Sequence, residues 1–310
     1  MEPMVFRDDN NRSRITGILF VGLGAMGSPM ARRVAHGGVC QRLYVADVDP
    51  GRVAAISEEC GAIPASQIAE YGSIDIVIIM LPDSASVESV VLGSEGLLTV
   101  LHPGSTIVDM GSSDPRRTVE LAGEAAKAGV TLLDAPVSGG VERAGKGDLA
   151  IMLGGSDEAV AIVEPLFSLL GSTITRTGPV GSGHAMKALN NMLSAVGLLA
   201  ASEVMAVGIR FGLDPRIMLE VLNNSTGQNH ATQNKFARFV LSRQFNSGFS
   251  MKLMVKDLTI AMELAKDIEG GAQIISLCWL SWSKALRHLG PGSDHTEIAR
   301  YVEERAHVTM

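Results

Sequence analysis

Cysteine and clustered positive charge are scarce in this chain. Cys40, Cys60 and Cys278 are the only three cysteines in 310 residues, an odd number with no C-x-x-C spacing and no paired-histidine motif. That argues against a disulfide framework and a zinc site, so no metal is expected, and reduced thiols fit a cytoplasmic location. The net charge is -7, with lysine and arginine scattered along the chain. No basic stripe is offered to a phosphate backbone, and nucleic acid is not an expected partner. Residues 1–14, MEPMVFRDDNNRSR, contain acids and no apolar core, which argues against a secretory signal and reads as a short mobile N-terminal tail. The apolar stretch Ala188 to Ser202 lacks Asp, Glu, Lys and Arg but carries Asn190 and Asn191. At ~15 residues against the ~20 needed to span a bilayer, it reads as a buried helix, and no membrane is expected as a partner. No internal repeat or low-complexity tract stands out.

With 46% hydrophobic and 19% charged residues, the chain can fill two moderate cores. From Ile15 to Thr177 short apolar runs alternate with helical stretches. The runs ILFVGLG, RLYVADV, IDIVIIMLP, STIVDMG, TLLDAPV and LAIMLGG have strand length, several too continuously apolar for a half-solvated sheet. Ser28 to Gly37, Pro50 to Cys60, Ser84 to Leu92, Arg116 to Ala128 and Asp157 to Leu170 read as helices. This predicts an α/β domain over 15–177, a Rossmann-type doubly wound sheet. Over 178–310 strand-like runs disappear, and breaks fall at Gly212 to Pro215, Asn246 to Gly248, Gly270-Gly271 and Gly290 to Gly292. An all-α C-terminal domain follows, its first helix running from about Gly183 to Phe211 as a spine.

Gly22, Gly24 and Gly27 have G-x-G-x-x-G spacing directly after an apolar strand and before a helix. The first permits a tight turn, the second lets backbone approach a pyrophosphate, and the third allows close helix-to-strand packing; an ordinary strand-to-helix turn is the bland alternative. Asp47 ends the second strand, where a carboxylate can accept from adenosine ribose hydroxyls and repel a 2'-phosphate. NAD is therefore preferred over NADP, although Arg52 lies one helical turn further on. Lys187 lies about one turn into a largely apolar helix, with Asn191 four residues later on the same face. It either snorkels to pair with an acid or is desolvated for proton exchange, with His184 and the helix terminus helping to lower its pKa. Residues Asp134 to Gly140, DAPVSGG, put a hydroxyl and open amides at the sheet's carboxyl edge, either a carboxylate nest or a simple glycine turn.

GLGAMG, DAPVSGG, the G-x-x-G-x-G-x-x-x-K-x-x-x-N run from Gly178 to Asn191, and Lys256-Asp257-Leu258, in this order, resemble the β-hydroxyacid dehydrogenase family. That family includes 3-hydroxyisobutyrate dehydrogenases and tartronate semialdehyde reductases, which act on a short hydroxy acid or its semialdehyde without a metal. The resemblance implies Lys187 as general acid/base, Asn191 as its orienting partner, and Ser138, Gly139 and Gly140 as the substrate-carboxylate site. It places Lys256 near nicotinamide and substrate. The loop Gly22, Leu23, Gly24, Ala25, Met26, Gly27, together with Leu81, Pro82, Ser86 and Ser112, would contact the cofactor. Members of the family are commonly dimers or tetramers, and the apolar helical domain suits a homo-oligomer.

The chain departs from familiar members at Gln228-Asn229-His230. Polar groups there, His230 among them, suit a polyhydroxylated or sulfonated substrate, or else form a solvated helix N-terminus. Imine-reducing relatives lack the lysine, and phosphogluconate dehydrogenases are much longer. A non-catalytic dinucleotide-binding sensor or interaction module is the rival class, distinguished by NAD binding without turnover. The retained Lys187, Asn191 and serine-glycine nest favour an oxidoreductase.

Overall fold

The computed structural model describes residues 15–67, 74–268 and 271–310. The tail expected over 1–14 and Gly270 of the Gly270-Gly271 break lie outside the described residues. The N-terminal half alternates strands and helices: β1 (Ile15–Val21), α1 (Gly27–His36), β2 (Cys40–Ala46), α2 (Pro50–Cys60), β3 (Ile63–Pro64), β4 (Ile76–Ile79), α3 (Ser84–Leu92), β5 (Thr106–Asp109), α4 (Pro115–Lys127) and β6 (Thr131–Asp134). It continues with β7 (Val137–Ser138), α5 (Gly140–Lys146), β8 (Leu149–Gly154), α6 (Asp157–Leu170) and β9 (Gly171–Gly178). The strands form one sheet in the order β3-β2-β1-β4-β5-β6-β8-β7, with β9 paired to β8. The first six are parallel, with Ile18 opposite Leu43 on one side and Ile76 on the other. The order reverses between β1 and β4, where ligands enter the crevice beyond the carboxyl ends of such a sheet.

Alternation along β1 explains its unbroken apolarity. Ile18 and Phe20 join the core beneath α1 and α6, with Met30 and Phe167. Leu19 and Val21 join the core beneath α3 and α4, with Val91 and Leu121. A strand covered on both faces has no solvent side to make polar. Three strands escape the sequence reading. β3 and β7 have two residues each, and Ser172 to Arg176 in β9 are all exposed, so no buried side imposes a period. The run LAIMLGG becomes β8, antiparallel to both β6 and β7.

Beyond Gly178 come α7 (Ser182–Phe211), α8 (Pro215–Asn223), a π-helix over Thr232–Val240, α9 (Met251–Leu264), α10 (Gln273–Leu289) and α11 (Ile298–Ala306). Asp214 caps α8 ahead of Pro215, and Ser250 caps α9, which sets the breaks where the chain has turn residues. α7 has 30 residues, twice the apolar stretch read from sequence. It is the one helix among the described residues long and apolar enough to cross a membrane by length and composition, with half of that window buried in the fold. Its inward residues Met192, Ala195, Leu198 and Met205 share a core with Leu258, Trp282 and Ile298. The sequence reading has no π-helix, and Lys235 lies on its buried face beside Phe236.

Candidate active site

The cofactor cradle is built by close backbone approach. Gly22 has φ +94°, and a Cβ there would lie 2.4 Å from the Met80 carbonyl oxygen. A Cβ on Gly27, where α1 begins, would lie 1.9 Å from the Gly22 oxygen, whereas Gly24 faces open space. α1 has no side-chain cap and no acid in its first turn, so Leu23, Gly24, Ala25 and Met26 lead to a helix N-terminus free to meet an anion. Asp47 follows β2, and its carboxylate accepts the Leu23 N–H at 2.6 Å and the Asp49 N–H at 2.9 Å. This loop fits a dinucleotide pyrophosphate with an acid beside it. Arg52 lies 3.6 Å from Asp47, so a cation stands where a 2'-phosphate would come. Leu81 and Pro82 follow β4 at the same edge of the sheet. The Ser86 hydroxyl, expected to contact the cofactor, donates to Asp83, the N-cap of α3.

The start of α7 is fixed to the sheet by Asp134, which is fully buried at the end of β6. Its two oxygens accept the Gly181 N–H at 2.7 Å and the His184 N–H at 2.8 Å. Gly183 permits the contact, since a Cβ there would lie 2.4 Å from the Met152 oxygen. One turn later Lys187 and Asn191 project from a shared face.

Asp257, from α9, gathers the groups at this junction. It is 2% exposed, accepts the Asn191 Nδ2–H at 2.6 Å and the Ser112 Oγ–H at 2.7 Å, and lies 3.1 Å from Lys256 Nζ. Lys256 Nζ also donates to the Ser112 carbonyl. The loop after β5, the spine helix and α9 therefore meet on one carboxylate. Sequence reading gave Asp257 no role, although an acid on the buried stripe Met254, Asp257, Leu258, Ala261 was the available signal.

Lys187 Nζ makes no hydrogen bond or ion pair among the described residues. Burial lowers its pKa from 10.5; the Asp257 carboxylate opposes that shift and the Lys256 charge adds to it. His184 was expected to assist and does not. Its ring is fully buried behind the site, with Nδ1 2.9 Å from Thr118 Oγ1 and Nε2 3.7 Å from Asp109. The second cation is Lys256.

The structure thus joins Ser112, Asn191 and Lys256 through Asp257 and sets Lys187 beside them. Ser138, Gly139 and Gly140 lie at the end of β7, whose partner β8 supports the base of α7; no hydrogen bond links them to Lys187. Gly139 and Gly140 have φ +145° and +72°, a turn that favours glycine. Gln228 and Asn229 are occupied within their own segment. Asn229 Oδ1 accepts the Ala231 N–H at 2.8 Å, and Gln228 Oε1 accepts from Gln233 at 2.6 Å, so these two are a helix N-terminus. His230 is exposed and makes no side-chain hydrogen bond among the described residues.

Residues 17–178 match the family described as the NAD binding domain of 6-phosphogluconate dehydrogenase, and residues 181–302 match that described as the NAD-binding domain of NADP-dependent 3-hydroxyisobutyrate dehydrogenase. The chain is 36% identical over 248 residues to 2-(hydroxymethyl)glutarate dehydrogenase of Eubacterium barkeri, covering 80% of this chain and 82% of that one. It is 35% identical over 257 residues to the NAD-dependent L-serine dehydrogenase of Pseudomonas aeruginosa, covering 80% and 85%. The Mycobacterium tuberculosis 3-hydroxyisobutyrate dehydrogenase structure with L-serine superposes with a TM-score of 0.82 at 27% identity, covering 93% of this chain and 99% of that one. With the cradle, the lysine and the helical half in the matching order, the chain belongs to the β-hydroxyacid dehydrogenase family, oxidoreductases that transfer a hydride between a nicotinamide cofactor and a short 3-hydroxy acid.

Proposed function

We propose that Lys187 is the general acid/base of this hydride transfer and that Asn191 holds the reacting oxygen beside it. The observation that carries this reading is a lysine with no hydrogen-bond or ion-pair partner among the described residues, its pKa lowered by burial, next to an Asn191 fixed by Asp257. Bound in the Gly22 to Gly27 loop and along Leu81, Pro82 and Ser112, a nicotinamide dinucleotide supplies the hydride acceptor or donor. In oxidation neutral Lys187 takes the substrate hydroxyl proton, and in reduction the ammonium returns it. Asp257 keeps Asn191 and Ser112 in place and faces Lys256 at 3.1 Å. Ser138 and the open amides of Gly139 and Gly140 receive the substrate carboxylate. A non-catalytic cofactor sensor has no use for an amine held free in this way.

The domain division at 177/178, NAD in preference to NADP, a cytoplasmic location without a membrane partner, and a homo-oligomer complete the proposal. Asp47 supports NAD, and Arg52 opposes it less strongly because its guanidinium is already shared with Asp47 and Asp49. Leu193, Val207 and Phe211 of α7 with Ile217 of α8 and Ile274 and Leu277 of α10 are 61–84% exposed, an apolar surface of the kind that a second copy covers. The test is kcat/KM with NAD and with NADP on one 3-hydroxy acid, together with sedimentation of the purified chain. Equal use of the two cofactors overturns the preference, and a monomer at micromolar concentration overturns the oligomer.

A further inference from the structure

Lys235 is a buried lysine that the reaction described above does not use. It lies in the π-helix, is 8% exposed, and its Nζ donates to Ser194 Oγ at 3.2 Å. That is its single hydrogen bond among the described residues, against three donors on an ammonium. Among the described residues no carboxylate lies within ion-pair distance. The nearby acid, Asp294, is already occupied: Oδ2 accepts the Gly248 N–H at 3.0 Å, Oδ1 accepts the Thr296 N–H at 2.9 Å, and the Ser247 hydroxyl donates to both oxygens at 2.8 Å. His295 Nδ1 is likewise occupied, 2.9 Å from Ser247 Oγ. Burying a charge without a partner is unfavourable by several kcal/mol, and the fold retains one here.

Its position suggests what it is for. Ser194 stands seven residues after Lys187 and three after Asn191, so all three side chains share one face of α7. At about 1.5 Å per residue, Lys235 reaches that face some ~4.5 Å beyond Asn191 and ~10 Å beyond Lys187. The same segment carries exposed His230 one turn earlier, close enough for the Lys235 charge to add to the burial that lowers the imidazole pKa. Gly197, one turn further along α7, brings this segment in, since a Cβ there would already touch Asn229 Oδ1 at 3.5 Å.

We propose that Lys235 forms a second anion subsite one helical turn beyond Asn191, and that the substrate is a short 3-hydroxy acid bearing a second anionic group, a carboxylate or a sulfonate, on the arm opposite the first. The inference rests on the reading of Lys187 and Asn191 as the reacting end. Burial holds Lys235 near a pKa of about 8, so the group is still mainly an ammonium at neutral pH and gains a partner when such an anion arrives. Its cation also disfavours a plain methyl arm, which leaves the charge buried and unpaired.

The test compares kcat/KM for monoanions, 3-hydroxyisobutyrate and glycerate, with that for dianions, 2-(hydroxymethyl)succinate, 2-(hydroxymethyl)glutarate and 3-hydroxy-2-(sulfomethyl)propanoate. It uses the wild-type chain, K235R and K235M, with NAD present. The expected result is preference for a dianion in the wild type, kept in K235R, with the dianion-to-monoanion ratio falling about 10- to 100-fold in K235M. Whether the carboxylate or the sulfonate is turned over better identifies the second group. A dianion should also raise the wild-type melting temperature more than a monoanion does, a readout that survives if K235M fails to fold. Turnover of monoanions as good as that of every dianion, with no change of ratio in K235M, overturns the second subsite and leaves the Lys187 chemistry standing. No turnover of any compound despite cofactor binding overturns the chemistry, and the subsite with it.

Discussion

Replacing Lys235 with methionine should make the protein more stable at neutral pH. The side chain is 8% exposed, and desolvation takes its pKa from 10.5 to about 8. At about 1.4 kcal/mol for each tenfold change in proton affinity, holding the ammonium in the folded state costs about 3 kcal/mol. Because the folded pKa is the depressed one, that cost is present in full below about pH 8, fades as pH rises from about 8 to 10.5, and is gone above. Methionine fills a similar volume with no charge, so Lys235→Met should gain about 2 to 3 kcal/mol at pH 7 and progressively less toward pH 10. Urea unfolding followed by tryptophan fluorescence is a suitable assay, because both tryptophans, Trp279 and Trp282, lie in the helical core that also holds the π-helix. Subtracting the two pH profiles cancels the titrating groups that Lys235 does not influence, and His230 and His295, whose pKa values its charge lowers from 6.5, titrate below the pH 8 to 10 window that is read. A less stable Lys235→Met at pH 7, or a difference that does not change with pH, would refute the account of a penalised charge. A gain in stability accompanied by loss of dianion turnover is the expected signature of a residue kept for binding.

The cofactor loop, the carboxylate hub and the amine each yield an expectation of their own. Gly27→Ala should abolish measurable NAD binding in a fluorescence titration, because its Cβ would overlap the Gly22 oxygen at 1.9 Å; unchanged affinity would show that the loop can shift. Asp257→Asn removes the charge that faces Lys256 and one of the two oxygens that separately accept from Asn191 and Ser112. It should lower kcat about 10- to 1000-fold with little effect on NAD affinity, and an equal loss of both would mean that it merely unfolds the junction. For oxidation, kcat/KM should rise with pH up to the lowered pKa of Lys187, which lies below 10.5, since only the neutral amine takes a proton. In the reductive direction the dependence reverses, and a flat profile both ways would assign proton transfer elsewhere.

How much could be seen beforehand follows from how local each signal is. G-x-G-x-x-G after an apolar run, the continuous apolarity of β1 and β4, and the helix composition of α7 are short-range patterns, and each stands where the sequence placed it. The DAPVSGG segment also ends β6 as expected, but its first residue, Asp134, caps α7 from almost fifty residues away, which no spacing rule reveals. Asp257 and Lys235 depend on which face of a helix meets which neighbour. For Asp257 the buried stripe of α9 offered a clue. For Lys235 the stripe Thr232, Lys235, Phe236 and Val240 marks one helical face, but only the packing of that face shows that it is buried. His184 was misread for the same reason in reverse: closeness along the chain to Lys187 did not mean closeness of side chains, and its ring turns to Thr118.

The most direct test of the central claim is NADH formation from a short 3-hydroxy acid by the wild-type chain and by Lys187→Ala, with cofactor affinity measured on both. The account predicts turnover that falls by about two to four orders of magnitude in the variant while NAD binds equally well. Near wild-type turnover by Lys187→Ala, or NAD binding with no turnover of any 3-hydroxy acid by the wild type, would contradict it.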